Sequence, residues 1–262
     1  MIRYLKMYRS FVGNCLIREM EFRWHFILYS LINLIWMVLA LVTFVFIYGH
    51  VSLIGSWTLP QMLLLTATFY FFDRVFDTLF EINFSRLNHL VNQGDLDLVL
   101  TKPVSGQFLV SLRYFSFASL FGAISMLGLI IWLIARYFWP LAPGELLIYA
   151  LLLCFGLVII YSCWFSTLLL VFWLGNIDNI NQLFRPIYEV VRIPIDITGP
   201  ILKPLLTFVI PLAFVATVPV QVFTRGANYY MLLYGLVAAA ASLWLSHRLW
   251  RFALRHYTSA SS

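Results

Sequence analysis

The chain has 262 residues, of which 62% are hydrophobic and 11% charged, and its mean hydropathy is +0.90. Soluble domains carry about 45–50% apolar and about 25% charged residues, so this composition excludes an ordinary soluble enzyme and defines an integral membrane protein. The formal net charge of +6 is accounted for by membrane orientation and lipid contact, and gives no ground for nucleic-acid binding.

At the start of the chain, Tyr4, Leu5, Tyr8, Val12, Cys15 and Leu16 fall on one side of a helical wheel, with Arg3, Lys6 and Arg9 beside them. That pattern predicts an interfacial helix over 1–23 that lies among the headgroups with its basic side chains toward anionic lipid. The alternative is a plain polar lead into the first span. Apolar runs follow near 25–48, 60–81, 114–136, 145–174 and 229–247, with a sixth somewhere in 179–222. Each reaches the roughly 20 helical residues that a hydrocarbon core of about 30 Å requires. The first run begins at His25, is too long for a signal-peptide core, and ends in Tyr48-Gly49-His50 without a small-residue cleavage site, so it is expected to stay in the protein. Residues 1–262 are read as one membrane domain, with no Gly/Ser linker and no internal repeat.

Basic residues set the orientation. Arg3, Lys6, Arg9, Arg18 and Arg23 precede the first span; Arg86, Lys102 and Arg113 lie between the second and third; Arg248, Arg251 and Arg255 follow the last. The connection from Gly49 to Gln61 has no Lys or Arg, the next turn on that side has Arg136, and the stretch before the last span has Lys203 and Arg225. Both termini and the 82–113 connection are therefore expected on the cytoplasmic side, with an even number of spans.

Enzyme chemistry finds little support. Cys15, Cys154 and Cys163 lie in apolar helices without a CxxC spacing, and the five histidines are scattered without HExxH spacing, so no metal site is expected. There is no GxSxG and no GxxxxGK[ST] phosphate loop. If ATP drives this protein, another chain binds it.

Three polar constellations remain. In the second span Thr66, Tyr70, Asp73, Asp77 and Glu81 recur at helical spacing and share one face, with the acids gathered at the inner end. An ionisable group at membrane depth costs at least about 2.5–3.5 kcal/mol on insertion scales, so such residues face protein or water. One reading makes Asp73 and Asp77 the lining of an inner vestibule that favours a cationic or amphipathic substrate; the other makes them ion-pair partners of Arg74 or Arg113. Next, the span from Asn176 to Asp196 carries Asp178, Asn181, Gln182, Arg185, Glu189, Arg192 and Asp196 in one stripe, with charges alternating at three- and four-residue spacing. Either this is an amphipathic helix on the cytoplasmic surface followed by an ordinary span over 201–222, or it crosses the membrane facing the interior. In the second case the segment with Pro200, Pro204, Pro211 and Pro219 forms a re-entrant hairpin, which membrane depth tolerates where protein surrounds it.

The third constellation is the connection NQGDLDLVLTKPVSGQ, Asn92 to Gln107. Gly94 ends the helix that continues the second span, Asp95 and Asp97 suit the first turn of a short helix, and Leu96, Val99 and Leu100 give that helix an apolar side. Pro103 limits its length, and Ser105 can cap the next helix, which carries Arg113 toward the third span. A short folded charged connection of this kind reads as a docking surface, against the plainer reading of a solvated linker.

Three stretches resemble the membrane subunit of an ABC-2-type transporter: REMEFR from Arg18 to Arg23, GDLDLVLTKPVS from Gly94 to Ser105, and IPLAFVATVP from Ile210 to Pro219. The resemblance implies an all-α polytopic fold with six transmembrane helices, an N-terminal interfacial helix, a cytoplasmic coupling helix and a re-entrant hairpin before the last span. It implies that Gly94, Asp95, Leu96, Asp97 and Pro103 form the coupling helix seated on a separate ABC ATPase, which carries ATP and Mg, while this chain holds no cofactor. It further implies a homodimer, or a heterodimer with a related permease, in a bacterial inner membrane. The candidate substrate pathway, Thr66, Tyr70, Asp73, Asp77, Arg185 and Glu189, comes from the residues and not from the resemblance. On this reading the protein is a non-catalytic export permease for a small amphipathic, cationic or drug-like molecule. The rival is a secondary transporter or channel in which Asp73, Asp77, Arg185 and Glu189 carry protons or ions; a membrane transferase is disfavoured because no nucleophile and base pair up.

Overall fold

The computed structural model describes residues 2–140, 142–175 and 183–257. Helix α1 (Ile2–Glu21) meets helix α2 (Arg23–Tyr48) at Phe22, whose ψ of 46° breaks the helical path between them. The inward side of α1 is Met7, Phe11 and Cys15, while Leu5 and Leu16, from the apolar side read off the helical wheel, are exposed. Near its start Tyr4 packs edge-on against Phe108 of the connection at 5.0 Å. Helix α2 touches the remainder through α3 and α7 and leaves Leu28, Ile35, Trp36, Val42 and Phe46 exposed. A helix that is apolar all round and covered on one side belongs in lipid or against another membrane chain.

Thr58 and Gln61 form a capping box that starts α3 (Leu59–Phe76), with Pro60 in the first turn, where its missing N–H costs nothing. A π-helical turn (Asp77–Glu81) joins α3 without a break to α4 (Ile82–Asn92). At 1.5 Å per residue this rod is roughly 50 Å long, longer than a hydrocarbon core of about 30 Å is thick. Gly94, at φ +79°, turns the chain into α5 (Leu96–Leu100), and Ser105 accepts a hydrogen bond from the Phe108 amide to start α6 (Gly106–Leu112). The helix does not carry Arg113 onward as the sequence suggested. It stops there, and α7 (Phe117–Tyr137) begins anew behind a Ser116 cap. The stop is fixed by Asn83, whose side chain donates to the Tyr114 carbonyl and accepts from the Tyr114 amide, both at 2.8 Å.

Helix α8 (Pro143–Leu168) and the short α9 (Val171–Leu174) end at Gly175. The polar stretch beyond it is not one long helix. Asn176 to Gln182, with Asp178 and Asn181, lie outside the described residues; thereafter the chain forms α10 (Arg185–Glu189), a 3-10 turn (Val190–Arg192) and a second one (Ile195–Ile197). Pro186 and Pro194 account for this, since neither can donate to a helical ladder. Nor do residues 201–222 make an ordinary span. They are broken into α11 (Leu202–Pro204), a π turn (Leu205–Val209), a 3-10 turn (Leu212–Phe214) and α12 (Thr217–Arg225) before α13 (Tyr229–His256) closes the chain. No strand occurs among the described residues, and the single bridge pairs Ile54 with Trp57. Among the described residues, four helices are long and apolar enough to cross a membrane: Phe26–Tyr48, Phe117–Tyr137, Pro143–Leu174 and Tyr229–His256. The polar α3 is not among them and is instead the buried centre, packed on α7, α2 and α12.

Two packing features set the architecture. An aromatic column of Phe76, Phe80 and Phe84 stands against Tyr161, Trp164 and Phe165 of α8, the tightest pair being Phe76 stacked on Trp164 at 4.3 Å between ring centres. The broken segment folds back on itself: its two ends meet where Arg225 and Lys203 both bond Asp196, and its turning point at Phe214 lies halfway along α8, against Gly156. A Cβ on Gly156 would fall 2.4 Å from the Phe214 carbonyl oxygen, whereas one on Gly128 in α7 would meet nothing within 4 Å. Gly156→Ala is therefore expected to lower the melting temperature of the purified protein in detergent, by overpacking of about 1–3 kcal/mol, while Gly128→Ala leaves it unchanged or raises it by the helix preference of Ala over Gly, about 0.5–1 kcal/mol. Equal behaviour of the two variants contradicts this packing.

Candidate functional site

The polar face of α3 borders a groove walled by α2 on one side and by residues 185–193 on the other. Three adjoining cavities of about 430, 460 and 410 Å3 compose it; the first two share Tyr29, Asp77 and Glu81, the second two Phe69, Tyr70, Glu189 and Arg192. The groove runs from Arg18, Glu19 and Phe22 at one end, past the acids, to Thr66 and Thr43 at the other. All six residues proposed from sequence for the pathway, Thr66, Tyr70, Asp73, Asp77, Arg185 and Glu189, line it.

Its charges are tied together. Arg74 pairs with Asp73 and, at 3.2 Å, with Asp77; its side chain is 11% exposed and theirs 7% and 8%. The same guanidinium donates to Asn33 Oδ1 of α2 at 2.7 Å. Room for its stem comes from Gly122 on α7, where a Cβ would sit 3.0 Å from Arg74 Cδ. Arg185 reaches Asp73 at 3.8 Å and Glu189 at 3.4 Å, and Arg192 donates to the Tyr70 hydroxyl at 2.8 Å. Thus residues 185–192 are held along α3 in the order Asp73 then Tyr70, antiparallel to it. Of the two arginines considered as ion-pair partners for Asp73 and Asp77, the geometry selects Arg74; Arg113 instead lies 5.5 Å from the Tyr114 ring centre. Thr66 is inert as a donor to the groove, because its hydroxyl bonds the Met62 carbonyl at 2.8 Å. The groove residues overlooked in the sequence are Asn33 and Glu19. Asn33 sits alone in an apolar run and gave no periodic signal, and the Glu19 carboxylate accepts from the Phe117 and Ala118 amides at 3.1–3.2 Å, a contact far apart in sequence.

At the other end of the polar segment, Asp196 binds Lys203 and Arg225, each at 2.9 Å, and accepts from Gln221 at 2.9 Å. Two cations and an amide thus converge on one carboxylate and close the broken segment at its ends. Arg225 also reaches Ser56 at 3.2 Å, in the connection after α2.

The connector α4–α5–α6 stands at the opposite end of the α3 rod. Leu96 and Val99 are buried beneath α5, and the Asp97 amide closes on the Gly94 carbonyl at 3.2 Å. Pro103 and Asp95 are exposed. Leu98, which no sequence signal marked, is 66% exposed. At two positions from Leu96 and one from Val99, it necessarily points away from the buried side of so short a helix. The connector is braced from behind, since the Ser105 amide donates to the Tyr4 hydroxyl of α1 at 3.2 Å.

An all-helical bundle with a charged groove beside its central helix and a braced, exposed connector at one end has the makings of a membrane transport subunit. The chain belongs to the family described as ABC-2 family transporter protein, which matches residues 34–261. It is therefore an ABC-2-type permease, a membrane component of an ABC transporter. Gly94–Ser105 and Ile210–Pro219 fall inside that match, and Arg18–Arg23 lies outside it. Neither curated proteins nor solved structures returned a match.

Removing Arg74 leaves Asp73 and Asp77 buried without their nearest cation, a loss of about 3–5 kcal/mol for a broken buried pair. Arg74→Met is expected to yield little monodisperse protein, and Arg74→Met combined with Asp73→Asn and Asp77→Asn to recover most of it in size-exclusion chromatography. No recovery in the triple variant contradicts the charge-neutralising role.

Proposed function

We propose that the chain is the non-catalytic permease subunit of an ATP-driven exporter, moving a small amphipathic molecule through the groove along α3. The observation that carries this reading is the single rod from Leu59 to Asn92, which has the groove on its α3 half and the connector at its α4 end. Motion applied to the connector is then motion of one groove wall. In this proposal α5, with Gly94, Asp95, Leu96, Asp97 and Pro103, is the coupling helix of the connector, and Leu98 is its anchor. It docks on a separate ABC ATPase, where ATP and Mg bind. The permease pairs with a second copy or a related subunit, and the uncovered flank of α2 supplies surface for that pairing.

The chain is proposed to cross the bacterial inner membrane six times: α2, α3, α7, α8, the polar stretch that includes residues 183–196, and α13. Both termini and the connector then face the cytoplasm, and residues 199–225 re-enter from the far side. Support for the fifth crossing is the antiparallel course of residues 185–192 on α3 and the meeting of Asp196 with Arg225 and Ser56 beyond it. Four carboxylates, Asp73, Asp77, Glu81 and Glu189, face three guanidiniums, Arg74, Arg185 and Arg192, in the middle cavity. That near-balance favours an amphipathic or zwitterionic cargo over a simple cation.

Vanadate-sensitive transport in vesicles that needs a co-expressed ATPase supports the proposal; transport that follows a proton gradient without any ATPase overturns it. Burial of one Leu contributes about 1.5–3 kcal/mol, which is roughly a 10- to 100-fold change in affinity. Leu98→Asp is thus expected to weaken ATPase co-purification at least tenfold while membrane insertion stays intact, with Leu98→Met near the unsubstituted protein. Undiminished recruitment by Leu98→Asp counts against this docking surface.

A further inference from the structure

A cavity of about 570 Å3, larger than any of the three that compose the groove, opens between the broken segment and the start of α13, and it shares no lining residue with them. The chain leads from one to the other: Arg192 and Ile193 wall the groove, and Ile195 and Asp196 already wall this cavity. Its buried lining is apolar and includes Leu152 of α8 and Val218 and Val222 of α12, with Met231 of α13 partly buried among the rest. Asp196, Lys203, Gln221 and Arg225 supply the polar part, and Tyr229 and Tyr230, both exposed, complete the wall.

The charges at this cavity do not cancel. Asp196 is the one carboxylate among the described residues that line it, and Lys203 and Arg225 share it. Arg225 commits both hydrogens of Nη2, to Asp196 and to Ser56 Oγ, so its Nε and Nη1 hydrogens have no protein partner among the described residues. Lys203 likewise gives Asp196 one of the three hydrogens an ammonium carries. Both cations are half exposed, at 53% and 50%, whereas Asp196 is 13% exposed and already takes a third bond from Gln221. The N-terminus of α13 opens on the same cavity, with Asn228 holding the Tyr230 and Met231 amides, and the positive end of the helix dipole adds to the excess. One cation suffices to neutralise Asp196, so the second is surplus. Surplus positive charge beside an apolar pocket suits an amphiphile with an anionic head.

We propose that this cavity is a second ligand site, which takes an amphiphile with one anionic head. Lys203 and Arg225 hold the carboxylate or phosphate of that head, and the apolar body lies on Leu152, Val218, Val222 and Met231. A phospholipid and a free anionic amphiphile share this chemistry, and the experiment below separates them. Placing the site on the far face of the membrane rests on the six-crossing reading. Its test requires neither ATP, transport nor a known orientation, so failure of the site and failure of the export reading are separate results.

The full-length protein in phosphatidylcholine nanodiscs would be treated with a photoactivatable analogue of decanoate, and the labelled residues mapped by mass spectrometry. The expected result is labelling within residues 195–231 that decanoate competes away and that decanol and decyltrimethylammonium do not. Loss of that labelling in phosphatidylglycerol nanodiscs assigns the site to lipid, and its persistence there assigns it to a free amphiphile; either supports the site. Lys203→Gln and Arg225→Gln should each weaken labelling about tenfold, the loss of one hydrogen bond to a charged group. Asp196→Asn, which removes the competing carboxylate, should strengthen it by about threefold. Met231→Trp keeps both cations but fills the cavity, and should abolish labelling; it decides the matter alone if the charge variants fail to fold. Labelling confined to other residues overturns the proposal, as does equal competition by decanol or full labelling in Met231→Trp. Weaker labelling in folded Asp196→Asn also overturns it, marking an ion pair that only fastens the segment.

Discussion

Arg74 sets the terms on which the centre of this protein can be buried. A charged side chain at membrane depth costs at least about 2.5–3.5 kcal/mol on insertion scales, and α3 carries Asp73, Arg74 and Asp77 within two helical turns. Paired internally, they turn a segment too polar to face lipid into one that must be enclosed. The enclosure follows from the pairing: Asn33 brings α2 to the guanidinium, Gly122 admits α7 against its stem, and Arg185 brings in the polar segment after α9. The groove is what remains on the side where α2 stands off from the others.

The broken helices between α9 and α13 obey the same constraint. Irregular backbone inside a membrane requires its polar groups to be met by protein. Here Tyr234 donates to the Phe208 carbonyl at 2.8 Å, Thr217 accepts from the Ile195 amide at 3.2 Å, and Asp196 gathers Lys203, Gln221 and Arg225. Small residues complete the fit, since Gly156 leaves room for the Phe214 carbonyl and Gly235 for its ring. Packing of this closeness stands in for the hydrophobic drive that lipid does not supply between helices.

Much of this was legible in the sequence. Hydropathy located the apolar helices, Gly94, Pro103 and Ser105 placed the connector's turns, and helical spacing put the acids of α3 on one face. The features that escaped share a cause, which is dependence on partners distant in the chain. The choice of Arg74 over Arg113, the role of Asn33 and the break at Arg113 are all decided by contacts between elements. Leu98 escaped for another reason: helical spacing left it off the apolar side of Leu96, Val99 and Leu100, and a leucine turned outward was not read as a contact. The stripe from Asn176 to Asp196 has helical spacing, yet beyond Gln182 the ring constraints of Pro186 and Pro194 outweigh that spacing.

Coupling in such a molecule requires a rigid path with two discrete settings, and the continuous rod from Leu59 to Asn92, braced by α1, offers the path. The account depends most on residues 185–196 running across the membrane along α3, so that Asp196 and Lys203 emerge opposite the connector. Single cysteines at positions 56, 98 and 203, in a background with Cys15, Cys154 and Cys163 replaced by serine, test this with a membrane-impermeant thiol reagent. In sealed vesicles of known orientation, position 98 should label from the cytoplasmic face only, and positions 56 and 203 from the opposite face only. Labelling of position 203 from the same face as position 98 would contradict the crossing.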